Sequence, residues 1–244
     1  MAEFNHDESA IGRFYNELTY DIPYDLWLDI ISHFKGNSGS VLDIGCGTGR
    51  LTSKLNFQTR YGVDISAPML EIAKRENSDI NYYQGDMRNF KLDMTFDMIV
   101  ATVDVLNYLE DEEAFITTLK NVNDHLNDDG VFIFDIHSKY KMENDFNDMI
   151  YTDDTEHITY IWHALKGEAP LSAVHEMTYF VRNDDGLYQR MDETYIQRTY
   201  EHKDVIKMIE KAGLYLDTAF SDFDVKNSVT TVCDRIFYIV KKAL

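Results

Sequence analysis

The sequence predicts an α/β fold built on a mostly parallel sheet of seven strands. Three observations predict it. Short apolar runs alternate with helical patterns from about residue 40 to residue 135, as expected where crossover helices join parallel strands. One run, Val41-Leu42-Asp43-Ile44, passes directly into Gly45-Cys46-Gly47-Thr48-Gly49, a strand ending in a glycine turn. The alternation stops after Asp135 and resumes near Lys203, with strand-like stretches between.

In chain order, residues 1–10 are polar and read as poorly ordered. Ile11 to Phe34 is aromatic-rich and reads as helix in two pieces, broken near Pro23 and stopped by Gly36, since proline fits a first helical turn and glycine a last one. Residues 1–36 are therefore assigned to an N-terminal helical cap. A strand follows at Ser40 to Ile44, with a helix from Arg50. The next strand, Arg60 to Val63, ends at Asp64, and Ser66-Ala67-Pro68 opens a helix to Arg75. A third strand spans Ile80 to Gln84, and a fourth Phe96 to Ala101. Glu112 to Asn127 reads as helix, Asn127-Asp128-Asp129-Gly130 as turn, and Val131 to Asp135 as the fifth strand.

Three strand-like stretches then follow: Ile158 to Trp162, Val174 to Val181 and Leu187 to Arg198. Asn183-Asp184-Asp185-Gly186 is a hairpin signal between the last two. An antiparallel insertion at 138–199 is too small to stand alone and is expected to pack over the strand ends as a cover for substrate. The core, 37–137 and 200–244, ends with a helix from Lys203 to Ala212 and strands at Leu214 to Phe220 and Arg235 to Lys241, the last antiparallel.

The glycine loop indicates the ligand. Gly45, Gly47 and Gly49 form G-x-G-x-G, with Arg50 where a dinucleotide fingerprint has its last glycine, and no Gly-Lys-Ser/Thr ending is present. Asp43, two residues before the first glycine, repels a phosphate and favours a cation. A ligand with an ammonium or sulfonium near the loop fits. Asp64, at the end of the second strand with Ile65 beside it, stands where an α/β nucleotide site holds ribose hydroxyls.

At these residues the sequence resembles the class I S-adenosylmethionine-dependent methyltransferases, with their Rossmann-like seven-stranded sheet. The resemblance implies S-adenosylmethionine as cofactor, held by Asp43, Gly45, Cys46, Gly47 and Gly49. It implies an adenine contact from Asp86 with Met87 packed on the ring. Thr102 and Val103 follow the fourth strand, at the carboxyl end of a central strand where open α/β sheets place ligands, and are candidates near the methyl group. Phe134-Asp135-Ile136-His137-Ser138, Tyr160-Ile161-Trp162, Val174-His175-Glu176-Met177-Thr178, Arg190-Met191-Asp192-Glu193-Thr194 and Gln197-Arg198-Thr199-Tyr200 resemble a bacterial small-molecule-type subgroup with a β insertion after strand five. That cover is similar to the one in glycine N-methyltransferase-type enzymes.

The expected reaction is in-line methyl transfer to nitrogen or oxygen of a small molecule. Alignment of acceptor and methyl supplies much of such catalysis, and a base is needed if the acceptor carries a proton. Candidate bases are His137, His175 and Glu176. Candidate substrate contacts are Tyr15, Tyr24, Asn107, Tyr140, Trp162 and Arg190. A non-catalytic cofactor- or partner-binding module, and a protein or RNA methyltransferase, remain as alternative readings.

Composition bounds these readings. Lys and Arg total 23 against 43 Asp and Glu, a formal charge of −20, which repels a phosphate backbone and argues against a nucleic-acid partner. No apolar run is long enough for a membrane span. The acidic N-terminus is unlike a signal peptide, and two cysteines make no disulfide framework, so a reducing cytoplasm is expected; a monomer or homodimer is the expected state. His157, His163 and His175 follow no zinc spacing, and no metal is expected.

Overall fold

Ser40–Ile44 forms β1 because Val41, Leu42 and Ile44 are apolar and can be covered on both faces. The structure is a computed structural model that describes residues 17–183 and 185–243. The expectations for residues 1–16, including a contact from Tyr15, lie outside those residues. Beside β1 run β2 (Thr59–Asp64), β3 (Asn81–Gln84), β4 (Phe96–Ala101) and β5 (Leu126–His137). A second sheet contains β6 (Met149–Asp154), β7 (Ile158–Lys166), β8 (Ser172–Arg182) and β9 (Tyr188–Arg198). The chain then returns to the first sheet with β10 (Leu214–Ser221) and β11 (Arg235–Lys242).

The first sheet has seven strands in the order β10-β11-β5-β4-β1-β2-β3. Its first five strands in sequence are parallel, whereas β11 runs antiparallel to β5 and β10. Alternating side chains feed two cores. Helix α1 (Tyr24–Phe34) buries Tyr24, Trp27, Ile30 and Ile31, an apolar stripe at helical spacing, against Val41, Val100, Ile133 and Phe237. On the opposite face lie α3 (Glu112–His125) and α5 (His202–Lys211), whose Phe115, Leu119, Val205 and Met208 meet Leu42, Ile99, Phe132 and Phe134. Helix α2 (Ala67–Glu76) has Pro68 in its first turn, and its Ser66 cap accepts a hydrogen bond from the Met69 N–H at 3.4 Å.

Three local features differ from expectation. The helix expected from Arg50 is a single 3-10 turn at Thr52–Lys54, because Leu51, Leu55 and Phe57 are drawn into the core before Thr59 enters β2. The insertion has four strands rather than three. Its extra strand, β6, is an edge strand with a largely exposed surface, so it carries little apolar signal. Helix α4 (Lys139–Asn144), capped by Ser138, precedes it. The turn at 127–130 bulges out of the β4–β5 ladder, where register passes from Phe96–Leu126 to Met98–Val131.

Strand order reverses between β1 and β4. Open α/β sheets place ligands above the carboxyl ends of strands at such a point. The glycine loop leaves β1 there, and residues 102–104 leave β4 beside it.

Candidate active site

The two loops at the reversal touch. Gly45 has φ +71°, and a Cβ on it would lie 2.1 Å from Val105 Cγ2, so the turn after β1 is tight because a side chain from the β4 loop fills the space. Gly47 has φ +53° and no atom within 4 Å of a built Cβ. Its backbone lies open on that side. Its N–H donates to Asp64 Oδ2 at 2.7 Å, while Asp64 Oδ1 accepts from the Ser66 N–H at 2.9 Å. The acid ending β2 thus fixes the middle of the glycine loop.

Asp43 lies beneath that loop, only 2% exposed, and accepts from the Thr52 hydroxyl at 2.6 Å. Burial pushes its carboxyl up to about 7; the Thr52 bond opposes this and the nearby Asp64 charge adds to it. Two carboxylates held together in this way are relieved by a cation. Cys46 is buried, and burial followed by the charges of Asp43 and Asp64 raises its thiol well above the ordinary range. Ile65 is exposed.

Asp86 is engaged by its neighbour. Arg88 Nε lies 3.0 Å from each Asp86 oxygen, and the Arg88 N–H donates to Oδ1 at 2.8 Å. The hydrogen bond from Arg88 holds the Asp86 carboxyl below its usual range. Met87 packs at the edge of the core and its carbonyl accepts from Asn121. Arg50 donates to the Thr19 carbonyl at 2.9 Å and lies over the Tyr24 ring.

The β4 loop opens into a buried polar cluster. Thr102 is buried. Val103 and Asp104 then have φ of +58° and +55°, a left-handed pair that is costly for a β-branched residue. Asp135, from β5, compensates: its carboxylate accepts both N–H groups, from Val103 at 2.9 Å and from Asp104 at 3.0 Å. It also accepts from Trp27 Nε1 at 2.8 Å and pairs with Arg235. Arg235 in turn reaches Asp104 Oδ1 at 2.9 Å. Burial works against the Arg235 charge, yet Asp135 and Asp104 hold it protonated.

His137, at the end of β5, is 4% exposed, and its Nε2 lies 3.4 Å from Asp104 Oδ2. Its Nδ1 is buried with no hydrogen-bond partner among the described residues. Burial lowers the imidazole pKa, while Asp104 works in the opposite direction. Burial likewise opposes ionisation of Asp104, but His137 and Arg235 keep its carboxyl far below the usual range.

The second sheet brings some expected residues to this cluster and turns others away. Trp162 Nε1 donates to His175 Nδ1 at 3.0 Å, and His175 Nε2 lies 3.1 Å from Gln197 Oε1. Glu176 and Arg190 are not brought there. Side chains alternate along a strand. Glu176 is exposed on the face opposite His175, in register with His163 and Thr194. Arg190 is exposed on that same face and pairs with Asp192 at 2.7 Å. Asn107 is spent within the protein: its amide donates to the Arg198 carbonyl at 2.7 Å and accepts from the His137 N–H at 3.0 Å. Tyr140 is partly buried on α4. Among the described residues no group of His, Cys, Asp and Glu is arranged to hold a metal ion.

Asp104, Asp135, Arg235 and Gln197 were not singled out from sequence. A signal existed for two of them. Asp135 interrupts the apolar run Phe132-Ile133-Phe134, and Arg235 precedes Ile236-Phe237-Tyr238. Single charges at the ends of buried strands need partners.

Residues 41–130 match a family model described as a methyltransferase domain. A protein of Geobacillus sp. (strain WCH70), named "Putative methyltransferase", is 34% identical over 96% of this chain and 98% of its own. The chain belongs to the class I S-adenosylmethionine-dependent methyltransferases. The crystal structure of an S-adenosylmethionine-dependent methyltransferase from Clostridium acetobutylicum superposes with a TM-score of 0.85 at 27% identity, covering 95% of this chain and 97% of that one. A Streptomyces fradiae dTDP-3-amino-3,6-dideoxy-alpha-D-glucopyranose N,N-dimethyltransferase is 31% identical over 43% of this chain and 42% of its own.

The methyltransferase's cofactor is S-adenosylmethionine, and the residues present fit it. The buried Asp43 carboxyl beneath the loop suits a cationic group, and the open backbone at Gly47 leaves room beside it. No described helix is long and apolar enough to cross a membrane.

Proposed function

We propose that this methyltransferase acts on nitrogen or oxygen of a small molecule, with His137 as the base. The observation that carries the reading is the Asp104–His137 pair with its unpartnered Nδ1. A buried acceptor atom without a donor costs about 1–3 kcal/mol, and an N–H or O–H of an acceptor would supply that donor.

S-adenosylmethionine supplies an electrophilic methyl group on sulfonium. The chain's own residues manage the proton. With Nε2–H turned to Asp104, His137 presents its Nδ1 lone pair; burial lowers the ring's pKa, and Asp104 works against that shift. The ionised Asp104 opposes the positive charge the ring gains when it takes a proton. Asp43, Gly45, Cys46, Gly47, Gly49, Asp64, Ile65, Asp86, Met87, Thr102 and Val103 are proposed to line the cofactor side. The second sheet is proposed to cover the acceptor, with Tyr24, Tyr140 and Trp162 among the residues around it.

Two further facts favour a small acceptor. The net charge of −20 disfavours RNA, and the N,N-dimethyltransferase named above is named for a dTDP-linked aminosugar. The test is release of S-adenosylhomocysteine with panels of small amines and hydroxy compounds, against bulk RNA and protein. Turnover on a small compound supports the reading; turnover on RNA or protein alone would sink it.

A further inference from the structure

The end of β9 and the residue after it grip the pair from the second sheet at three consecutive positions. Gln197 Nε2 donates to Asp104 Oδ2 at 2.9 Å. The Arg198 carbonyl accepts from Asn107, whose side-chain oxygen accepts from the His137 N–H. The Thr199 hydroxyl donates to the His137 carbonyl. The sheet proposed to cover the acceptor and the strand end carrying the proposed base are therefore joined at the base itself.

Behind Gln197 the hydrogen bonds can be arranged in one way only. An indole N–H is a donor and a carboxylate an acceptor. Trp162 Nε1 donates to His175 Nδ1, so His175 carries its proton on Nε2 and donates it to Gln197 Oε1. The Gln197 amide nitrogen then faces Asp104. Each tautomer and amide orientation follows from the two ends of the chain. His175 has no lone pair left for a substrate proton. Burial pushes it down to about 4, in keeping with a ring held neutral. The rings of His175 and His137 pack edge-on against Phe146, with centroids 4.8 and 5.2 Å away, so the two imidazoles share one apolar wall.

We infer that Gln197, with His175 and Trp162 behind it, is a positioning residue for His137: it sets the Asp104 carboxylate so that the ring keeps Nε2–H toward Asp104 and its Nδ1 lone pair free. The inference rests on His137 being the base, but it concerns the state of the ring and is measured without turnover.

The test is nitrogen NMR of the full chain labelled with ¹⁵N-histidine and saturated with S-adenosylhomocysteine. In the wild type, His175 and His137 should both be Nε2–H tautomers with unprotonated Nδ1. His175 protonated on Nδ1 would overturn the inference with no variant needed. H175F keeps the aromatic packing but neither hydrogen bond, whereas H175Q keeps one acceptor and one donor. The His137 Nδ1 signal should move toward a tautomer average in H175F and in Q197L, and stay at the wild-type position in H175Q. A purely structural role predicts the reverse order, with H175F undisturbed and H175Q shifted. Unchanged His137 signals in H175F and Q197L, with S-adenosylhomocysteine still bound, overturn the inference. Full turnover by H137N would instead remove the base reading, leaving the ring positioning as measured.

Discussion

Asp104 donates its backbone N–H to the Asp135 carboxylate at 3.0 Å, one residue after Val103 does the same at 2.9 Å. That bond holds a left-handed step that neither side chain favours, and it places the Asp104 carboxylate between Arg235 and His137. D135L removes the acceptor for both N–H groups and leaves Arg235 buried with half its partners. Breaking a buried ion pair from one side costs about 3–5 kcal/mol. Urea unfolding should show a loss of that order, and a loss under about 1 kcal/mol would mean that Asp135 does not hold the step.

The two glycines at the front of the loop should separate stability from binding. In G45A the new methyl collides with Val105, adding roughly 1–3 kcal/mol of overpacking to roughly 1–2 kcal/mol for the left-handed backbone. In G47A only the backbone term applies, because nothing stands near the new methyl. G47A should melt closer to the wild type than G45A, and calorimetry should show it binding S-adenosylhomocysteine more weakly than the wild type. Wild-type affinity in G47A would mean that the cofactor does not approach this side of the loop.

Asp43 gives a signed dependence on pH. Its carboxyl ionises near 3.8 in an exposed chain and near 7 when buried here, so the folded state binds its proton more tightly. This group's contribution to stability is therefore present at low pH and lost as pH rises from about 4 to about 7. The full span corresponds to roughly 4 kcal/mol. D43N does not titrate and can still accept from Thr52. Without cofactor, D43N should gain on the wild type between pH 5 and pH 7.5 in urea midpoints. A constant difference would show that Asp43 is already ionised at pH 5.

Asp64 joins the loop to β2 through the Gly47 N–H. D64A should weaken S-adenosylhomocysteine binding by about 1.5–3 kcal/mol, the range for a lost hydrogen bond to a charged group. Unchanged affinity by calorimetry would remove Asp64 from the site.

The glycine loop, the acid ending β2 and the succession of strands along the chain were legible because they depend on local pattern: an apolar run, a turn and a helix cap. The Asp104–Asp135–Arg235 cluster was not. Its members are 31 to 131 residues apart in sequence, and their meeting depends on β11 inserting antiparallel beside β5. His175 and Glu176 looked equivalent as neighbours, and only the pleat shows that they face opposite ways. β6 was missed because an exposed edge strand needs no apolar alternation.

The most direct test compares wild type and H137N on a small amine or hydroxy acceptor identified by screening, with S-adenosylhomocysteine release as the readout. General-base catalysis contributes about 10²–10⁴-fold. The account predicts a fall in kcat of that order in H137N, with S-adenosylmethionine affinity unchanged. A kcat for H137N equal to that of the wild type would contradict it.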